Sequence, residues 1–231
     1  MARVLRFSRT ERALHWTHAS AFAVLLATGL VLYVPRLSEL VGRRPQVKDA
    51  HLYAAVSWAA ALVLIVVFGD RRGLARTLRE LDRFDAEDRA WLRGRPSAPG
   101  RFNAGQKLNA AATAAFALLF AVSGLLLWLG ERDTRFRLGG AIVLHDGLMY
   151  VSLVLLVGHL HLALIRPATR HSLQGMTLGT VREEWARDHH PRWISGSEHE
   201  LRGPLEVGRA QPGLAVGKRP RMLEPVDPDG P

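Results

Sequence analysis

Ten histidines occur in the sequence, and six of them lie within or at the ends of long apolar segments. These six are His15, His18, His51, His145, His159 and His161. Ionisable side chains are costly at membrane depth, so they usually face the interior of a helix bundle and have a partner there. Neutral imidazole is a common metal ligand, and it also carries protons. The pattern therefore predicts a buried metal centre or a proton path.

The last apolar segment places two of these histidines on one helix face. His145 and His159 are 14 residues apart. In an α-helix this spacing leaves them about 40° apart in azimuth and about 21 Å apart along the axis. His161 is rotated by about 200° from His159 and faces elsewhere. The segment thus predicts two sites at different depths along one helix.

Four apolar segments must position these side chains. Each is long enough to cross a bilayer, which takes about 20 residues in helical form. The spans are predicted over residues 16–34, 51–69, 108–130 and 139–165. The first is treated as a span because it has no small-residue cleavage site of a signal peptide. We therefore predict an all-α membrane protein, a four-transmembrane-helix bundle.

The distribution of positive charge predicts the orientation of this bundle. Of the 31 Lys and Arg residues, 24 lie before the first span, between the second and third, or after the fourth, and 7 lie in the other two loops. The positive-inside rule then places both termini and the loop between the second and third spans in the cytoplasm. The net charge of +10 does not indicate nucleic-acid binding, because no basic face with interleaved aromatic residues accompanies it.

This orientation pairs the histidines by depth. His15 lies at the cytoplasmic level with His159, and His51 lies at the outer level with His145. His18 shares a face with His15 to within about 60°, so helical geometry leaves the choice between them open.

Two imidazoles on facing helices suit haem iron better than zinc. Two histidines saturate the axial positions of a haem, and the apolar porphyrin fits the core of a helix bundle. Zinc takes four ligands, and the sequence has no H-E-x-x-H motif. The chain contains no cysteine, which excludes thioether-bound haem and iron–sulfur ligation by this chain. Two b-type haems at two depths would carry electrons across the membrane.

Two alternatives from other classes stay open. Histidines in a membrane can simply hydrogen-bond across helices, which would make the chain a haem-free membrane anchor. A proton-conducting bundle is the other alternative, and Asp146 is the best sequence feature in its favour.

Beyond the spans, residues 173–190 are predicted to form an interfacial helix with belt-like tryptophans. Residues 1–193 would then form the membrane domain. The Pro-, Gly- and Arg-rich stretch 194–231 is predicted to be a disordered tail.

Several motifs together carry a family resemblance. They are ERALHWTHA, KDAHLYAAV, RFNAGQK, VLHDGLMYVSLVLLVGHLHLAL and SLQGMTLGTVREEWARDHHPRW. In this order and spacing, over roughly residues 6–193, the chain resembles the gamma subunit of membrane-bound respiratory formate dehydrogenase, a four-helix dihaem cytochrome b. The resemblance implies that His15, rather than His18, ligates the cytoplasmic-side haem with His159. It implies likewise that His51 and His145 ligate the outer haem.

The resemblance further implies a quinone site beside the cytoplasmic haem, near His159 and the NAGQ turn. Its residues would be Asn103, Gly105 and Gln106. Asn and Gln amides could hydrogen-bond a quinone carbonyl, while Gly permits close approach. The same residues also fit an ordinary turn that begins a helix.

The family also implies the partners and the reaction. A molybdenum or tungsten catalytic subunit would oxidise formate, and an iron–sulfur subunit would pass electrons to the outer haem. This chain would pass them on to menaquinone or ubiquinone, so formate oxidation would not occur on it. A cytochrome b subunit of a hydrogenase or of thiosulfate reductase is an alternative with the same helices.

Overall fold

The structure is a computed structural model that describes residues 2–202, with side chains described from residue 2 to residue 196. Its strands and helices, in chain order, are β1 (Arg3–Leu5), α1 (Arg9–Tyr33), α2 (Pro35–Val41), α3 (Arg44–Phe68), α4 (Arg71–Asp82), α5 (Ala86–Leu92), α6 (Ala104–Gly130), α7 (Gly139–Leu160), α8 (Pro167–Arg170), α9 (Leu173–Leu178), β2 (Thr180–Arg182), α10 (Glu183–His189) and α11 (Pro191–Arg202). A 3-10 turn (Thr134–Phe136) precedes α7, and a π-helical turn (His161–Ile165) continues it. One compact unit ends at Ile194, beyond which only the rest of α11 is described.

Four of these helices are long and apolar enough to cross a membrane. They are α1, α3, α6, and α7 with its π-helical continuation. The four apolar helices predicted from the sequence are therefore confirmed. Their apolar side chains remain largely exposed within the chain, as for Val63 at 60% and Val154 at 72%. Such surfaces suit contact with lipid, which is as apolar as the side chains themselves.

Three of the spans, α1, α3 and α6, begin earlier than predicted, and polar side chains cap two of them, α1 and α6. The Ser8 side chain accepts a hydrogen bond from the backbone N–H of Glu11, and the Glu11 side chain accepts one from the N–H of Ser8. Asn103 and Gln106 form the same reciprocal motif at the start of α6. Such a capping box satisfies two backbone donors that the first helical turn leaves unpaired.

The spans associate as two close pairs. α1 packs against α3, and α6 packs against α7. On the predicted cytoplasmic side, α4 and α5 pack against α6, while α9 lies against α1. The two pairs provide the facing surfaces on which the predicted histidine partners lie.

The single interfacial helix predicted over residues 173–190 is instead divided into α9 and α10. Gly179 ends α9 with a φ of 85°, a left-handed conformation that glycine adopts without strain. The following β2 pairs with β1 in an antiparallel two-stranded sheet, with Val4 opposite Val181. Within residues 2–202 the elements other than this small sheet are all helices.

A small core supports the sheet and the short helices. It comprises Val181, Trp185, Ala186 and Ile194. The tail predicted over residues 194–231 begins within α11, and from residue 203 onward that prediction lies outside the described residues.

Candidate haem sites

The first histidine pair joins α1 to α7. The ring centroids of His15 and His159 are 6.3 Å apart, and the rings are inclined by 51°. The His15 ring is half-buried, whereas the His159 side chain is exposed within the chain. Neither side chain makes a hydrogen bond to another of residues 2–196.

The second pair joins α3 to α7. The ring centroids of His51 and His145 are 6.4 Å apart, with the rings inclined by 66°. Both rings are half-buried. α7 thus contributes one histidine to each pair, and the structure brings together the partners predicted from depth and helical phase.

The spacing within each pair fits one iron with two axial imidazoles. A metal–imidazole bond is about 2.0 Å and the bonding nitrogen lies about 1.1 Å from the ring centroid, so two imidazoles that bound one ion from opposite sides would hold their centroids about 6.2 Å apart. The observed separations of 6.3 and 6.4 Å agree with this geometry. Within the described residues no group of three or more His, Cys, Asp or Glu side chains is arranged around a metal position. The four histidines thus lie as two facing pairs.

The neighbouring histidines have other surroundings. The His18 ring packs against Phe22 and Trp58, with its centroid 5.7 Å from that of Trp58. His161 lies in the π-helical turn after α7 and its side chain is exposed. The structure therefore places His15, rather than His18, opposite His159.

Two hydroxyl residues contact the outer pair. Thr28 Oγ1 lies 2.7 Å from His51 Nδ1, and Ser123 Oγ lies 2.9 Å from His145 Nδ1. The sequence patterns described above predict no function for Thr28 or Ser123. A sequence feature that marks both residues is a hydroxyl residue followed by glycine within the C-terminal part of a span, at Thr28–Gly29 and again at Ser123–Gly124.

The NAGQ turn is built as a helix cap. Asn103 Oδ1 accepts a hydrogen bond from the Gln106 backbone N–H at 2.9 Å, and Gln106 Oε1 accepts one from the Asn103 N–H at 3.1 Å. A Cβ on Gly105 would lie 2.7 Å from Trp91 Cη2, so the close approach that this glycine permits is that of an indole ring. Neither amide hydrogen-bonds His159.

A buried cluster ties this turn to the N-terminal segment. Arg6 is 2% exposed, and its Nη2 donates to the backbone carbonyl oxygen of Arg101 at 3.0 Å. It also lies 3.0 Å from His190 Nε2. Because a guanidinium only donates, Nε2 of His190 accepts, and its Nδ1–H donates to the Gly100 carbonyl oxygen at 2.7 Å.

This environment shifts both pKa values in the cluster. Burial, together with the positive charge of Arg6, lowers the pKa of His190 to about 3. Burial, together with the neighbouring Arg101, lowers the pKa of Arg6 to about 10. His190 is thus uncharged at neutral pH and links Arg6 to the Gly100 carbonyl oxygen by hydrogen bonds. The cluster holds the segment before α6 in place.

Comparison with known proteins places these sites in context. The sequence model of the family described as prokaryotic cytochrome b561 matches residues 6–179. The cytochrome b556(fdo) subunit of formate dehydrogenase from Escherichia coli (strain K12) is 26% identical over 198 residues, which cover 82% of this chain and 91% of that protein.

Two further relatives carry similar names. The cytochrome b556(Fdn) subunit of the nitrate-inducible formate dehydrogenase from the same strain is 21% identical over 202 residues, covering 82% of this chain and 89% of the relative. The formate dehydrogenase cytochrome b556 subunit of Haemophilus influenzae is 22% identical over 209 residues, covering 83% and 82%. The resemblance inferred from the sequence motifs is thereby confirmed.

Proposed function

The chain belongs to the prokaryotic cytochrome b561 family, and on this premise we propose that it is the cytochrome b subunit of a formate dehydrogenase complex. It would carry electrons from an iron–sulfur subunit at the outer face of the bacterial inner membrane to a quinone at the cytoplasmic side. Formate would be oxidised on a molybdenum or tungsten catalytic subunit and not on this chain. The names of the three relatives support this choice of complex.

The observation that carries the proposal is the presence of two histidine pairs whose spacings suit axial ligation of iron. His15 and His159 would hold the inner b haem, and His51 and His145 the outer one. When bound, each haem supplies a one-electron iron couple. Because α7 contributes a ligand to each pair and these are 14 residues apart, it fixes the two sites about 21 Å apart along its axis.

The charge distribution supports the direction of transfer. With 24 Lys and Arg residues in the alternate segments that include both termini, the positive-inside rule puts the termini and the His15–His159 pair at the cytoplasmic side. The catalytic and iron–sulfur subunits would then sit on the outer face, beside the His51–His145 pair. Electrons moving inward, with protons taken up by quinone from the cytoplasm, would add to the membrane potential.

The proposed quinone site lies at the cytoplasmic side, near His159, Asn103, Gly105 and Gln106. The capping box uses one oxygen atom of each amide and leaves both NH2 groups without a partner among residues 2–196. These groups can donate to the carbonyl oxygens of menaquinone or ubiquinone. The exposed His159 ring is open to the same substrate. Gly105 would act indirectly, because it lets Trp91 cover the turn.

Haem content tests the ligand assignment. A pyridine haemochrome titration of the purified complex should give two b haems per copy of this chain. His145→Ala and His159→Ala should each reduce this to one, with the outer haem lost in the first and the inner in the second. His18→Ala and His161→Ala are matched controls that should keep two. A wild-type complex without haem would overturn the proposal.

Two isosteric substitutions test the quinone site. Asn103→Asp and Gln106→Glu keep the oxygen atoms of the capping box and remove the NH2 donors, so α6 should begin where it does now. We expect a raised KM for quinone with both haems retained. An unchanged KM for quinone in the double variant would show that these amides do not bind quinone.

The electron donor is tested on the isolated complex. Formate should reduce both haems anaerobically, whereas hydrogen should not. In His145→Ala, formate-driven electron flow should stop while quinol still reduces the inner haem. Reduction by hydrogen, with no response to formate, would favour a hydrogenase complex instead.

A further inference from the structure

We propose that Thr28 and Ser123 are positioning residues for the outer haem ligands. Each hydroxyl oxygen would accept a hydrogen bond from Nδ1–H of one imidazole, His51 or His145, and so direct its Nε2 lone pair to the iron. This inference rests on the proposed ligation of haem by these two histidines.

The hydrogen-bond partners of the hydroxyl groups set the direction of both contacts. Thr28 Oγ1 lies 2.8 Å from the Val24 carbonyl oxygen, and Ser123 Oγ lies 2.7 Å from that of Leu119. A carbonyl oxygen only accepts, and a hydroxyl has one hydrogen to donate. That hydrogen goes to the backbone, so the imidazole Nδ1 must carry the proton of the second bond. In neutral imidazole the other nitrogen, Nε2, is then free to bind a metal.

The same arrangement occurs twice on different helices. Thr28 is followed by Gly29, where a Cβ would lie 3.6 Å from Cε1 of His51. Ser123 is followed by Gly124, where a Cβ would lie 3.4 Å from Cε1 of His145. In each helix pair, one helix carries the ligand and its neighbour carries the hydroxyl–glycine pair that meets the ring.

Backbone bonding alone does not account for this arrangement. A serine or threonine within a helix commonly donates to the carbonyl four residues earlier, which explains the bonds to Val24 and Leu119. This backbone bond does not explain why the Nδ1 atom of a histidine lies within hydrogen-bond distance of each hydroxyl oxygen. Ser123 is moreover completely buried, so no water can take the place of the ring.

The arrangement also distinguishes the two haem sites. Neither His15 nor His159 has such a partner among residues 2–196. A hydrogen bond donated by Nδ1–H makes the imidazole a more basic ligand, which favours the ferric state. The hydroxyls should therefore lower the potential of the outer haem relative to the inner one. That difference would drive electrons inward.

Redox potentiometry of the whole complex tests the assignment. Thr28→Val and Ser123→Ala remove the acceptors with little change in shape. In the double variant we expect the reduced-to-oxidised ratio of the outer haem at fixed poise to rise about tenfold, which is a shift of about 59 mV for a one-electron couple. The inner haem should not shift. The low-spin electron paramagnetic resonance signal of the outer haem should also change, because its ligand rings are freed to rotate.

Matched variants make the result decisive. Thr113→Val removes a hydroxyl from α6 that makes no hydrogen bond to a histidine, and it should leave both potentials unchanged. Thr28→Ser with Ser123→Thr keeps the acceptors and should restore the wild-type values. Loss of the outer haem in the Val/Ala variant alone would support the proposal, whereas equal loss in the Ser/Thr variant would overturn it.

Two further outcomes would overturn the inference. One is an unchanged outer potential in the double variant that still holds two haems. The other is an equal shift in the Thr113→Val control. A wild-type complex with no haem would instead refute the proposed function, so the two failures are distinguishable.

Discussion

The ion pair between Lys107 and Asp88 supports a stability prediction of definite size. Nζ and Oδ2 are 2.6 Å apart, and the two side chains are 7% and 3% exposed. The pair joins α6 to the N-terminal end of α5, one residue after the Asn103–Gln106 cap. Lys107→Met keeps most of the side-chain volume but leaves a buried carboxylate without its cation. Removing one partner of a buried pair costs about 3–5 kcal/mol.

The contacts left behind place the expected loss near the lower end of that range. Asp88 Oδ2 still accepts a hydrogen bond from the Asp85 backbone N–H at 3.1 Å, so the carboxylate keeps one donor. We therefore expect the free energy of unfolding to fall by about 3 kcal/mol. Adding Asp88→Leu removes the orphaned charge and should recover part of the loss, while the Asp85 N–H and the Arg83 carbonyl oxygen stay without their side-chain partners.

An exposed ion pair provides the matched control. Lys48 and Glu131 are 2.9 Å apart, with side chains 41% and 52% exposed. Water screens this pair, so Lys48→Met makes the same chemical change at an expected cost of about 0–1 kcal/mol.

The assay is equilibrium unfolding of the purified chain in mixed micelles, followed by helical circular dichroism as the fraction of SDS rises. The difference between Lys107→Met and Lys48→Met is the informative quantity. Equal losses in the two variants, or a loss below about 1 kcal/mol for Lys107→Met, would refute the reasoning from burial.

Two further predictions concern the same region. The pKa of His190 is about 3 in the folded protein and about 6.5 in the unfolded chain. The unfolded chain therefore binds a proton first as the pH falls, and the free energy of unfolding should decrease below about pH 6.5. Between about pH 7.5 and 4.5 the decrease should be about 2–3 kcal/mol. Unfolding at the two pH values measures this; His190→Asn should flatten the dependence and His189→Asn should not. Gly105→Ala should cost about 1–3 kcal/mol by overpacking against Trp91. Trp91→Leu in the same background should recover part of it, and Gly147→Ala, where a Cβ meets nothing within 4 Å, should cost nothing; no recovery would point away from the indole contact.

The sequence by itself determined the helical architecture and the positions of the histidines along it. A helix that crosses a bilayer needs about 20 apolar residues, so four apolar segments predict four spans whatever the packing between them. Helical period alone puts His145 and His159 on one face. The charge bias predicts an orientation from composition, and depth then pairs each histidine with a partner on another helix.

The caps could have been read more closely from the sequence. Ser8 with Glu11, and Asn103 with Gln106, have the spacing of a capping box, and the structure shows that they begin α1 and α6. The turn at Gly179 is local as well, but the division of the predicted 173–190 helix also depends on β2 pairing with β1, at the opposite end of the chain.

Only the tertiary structure decided what surrounds each candidate ligand. The contacts from Thr28 to His51 and from Ser123 to His145 cross between helices, so no periodicity within one helix contains them. The contact of Trp91 with Gly105 also joins two helices, and it fills the space beside Gly105 where the sequence predicted the close approach of a quinone. Apolar length and helical period are properties of a single segment, whereas the direction of a hydrogen bond depends on which helices come to lie side by side.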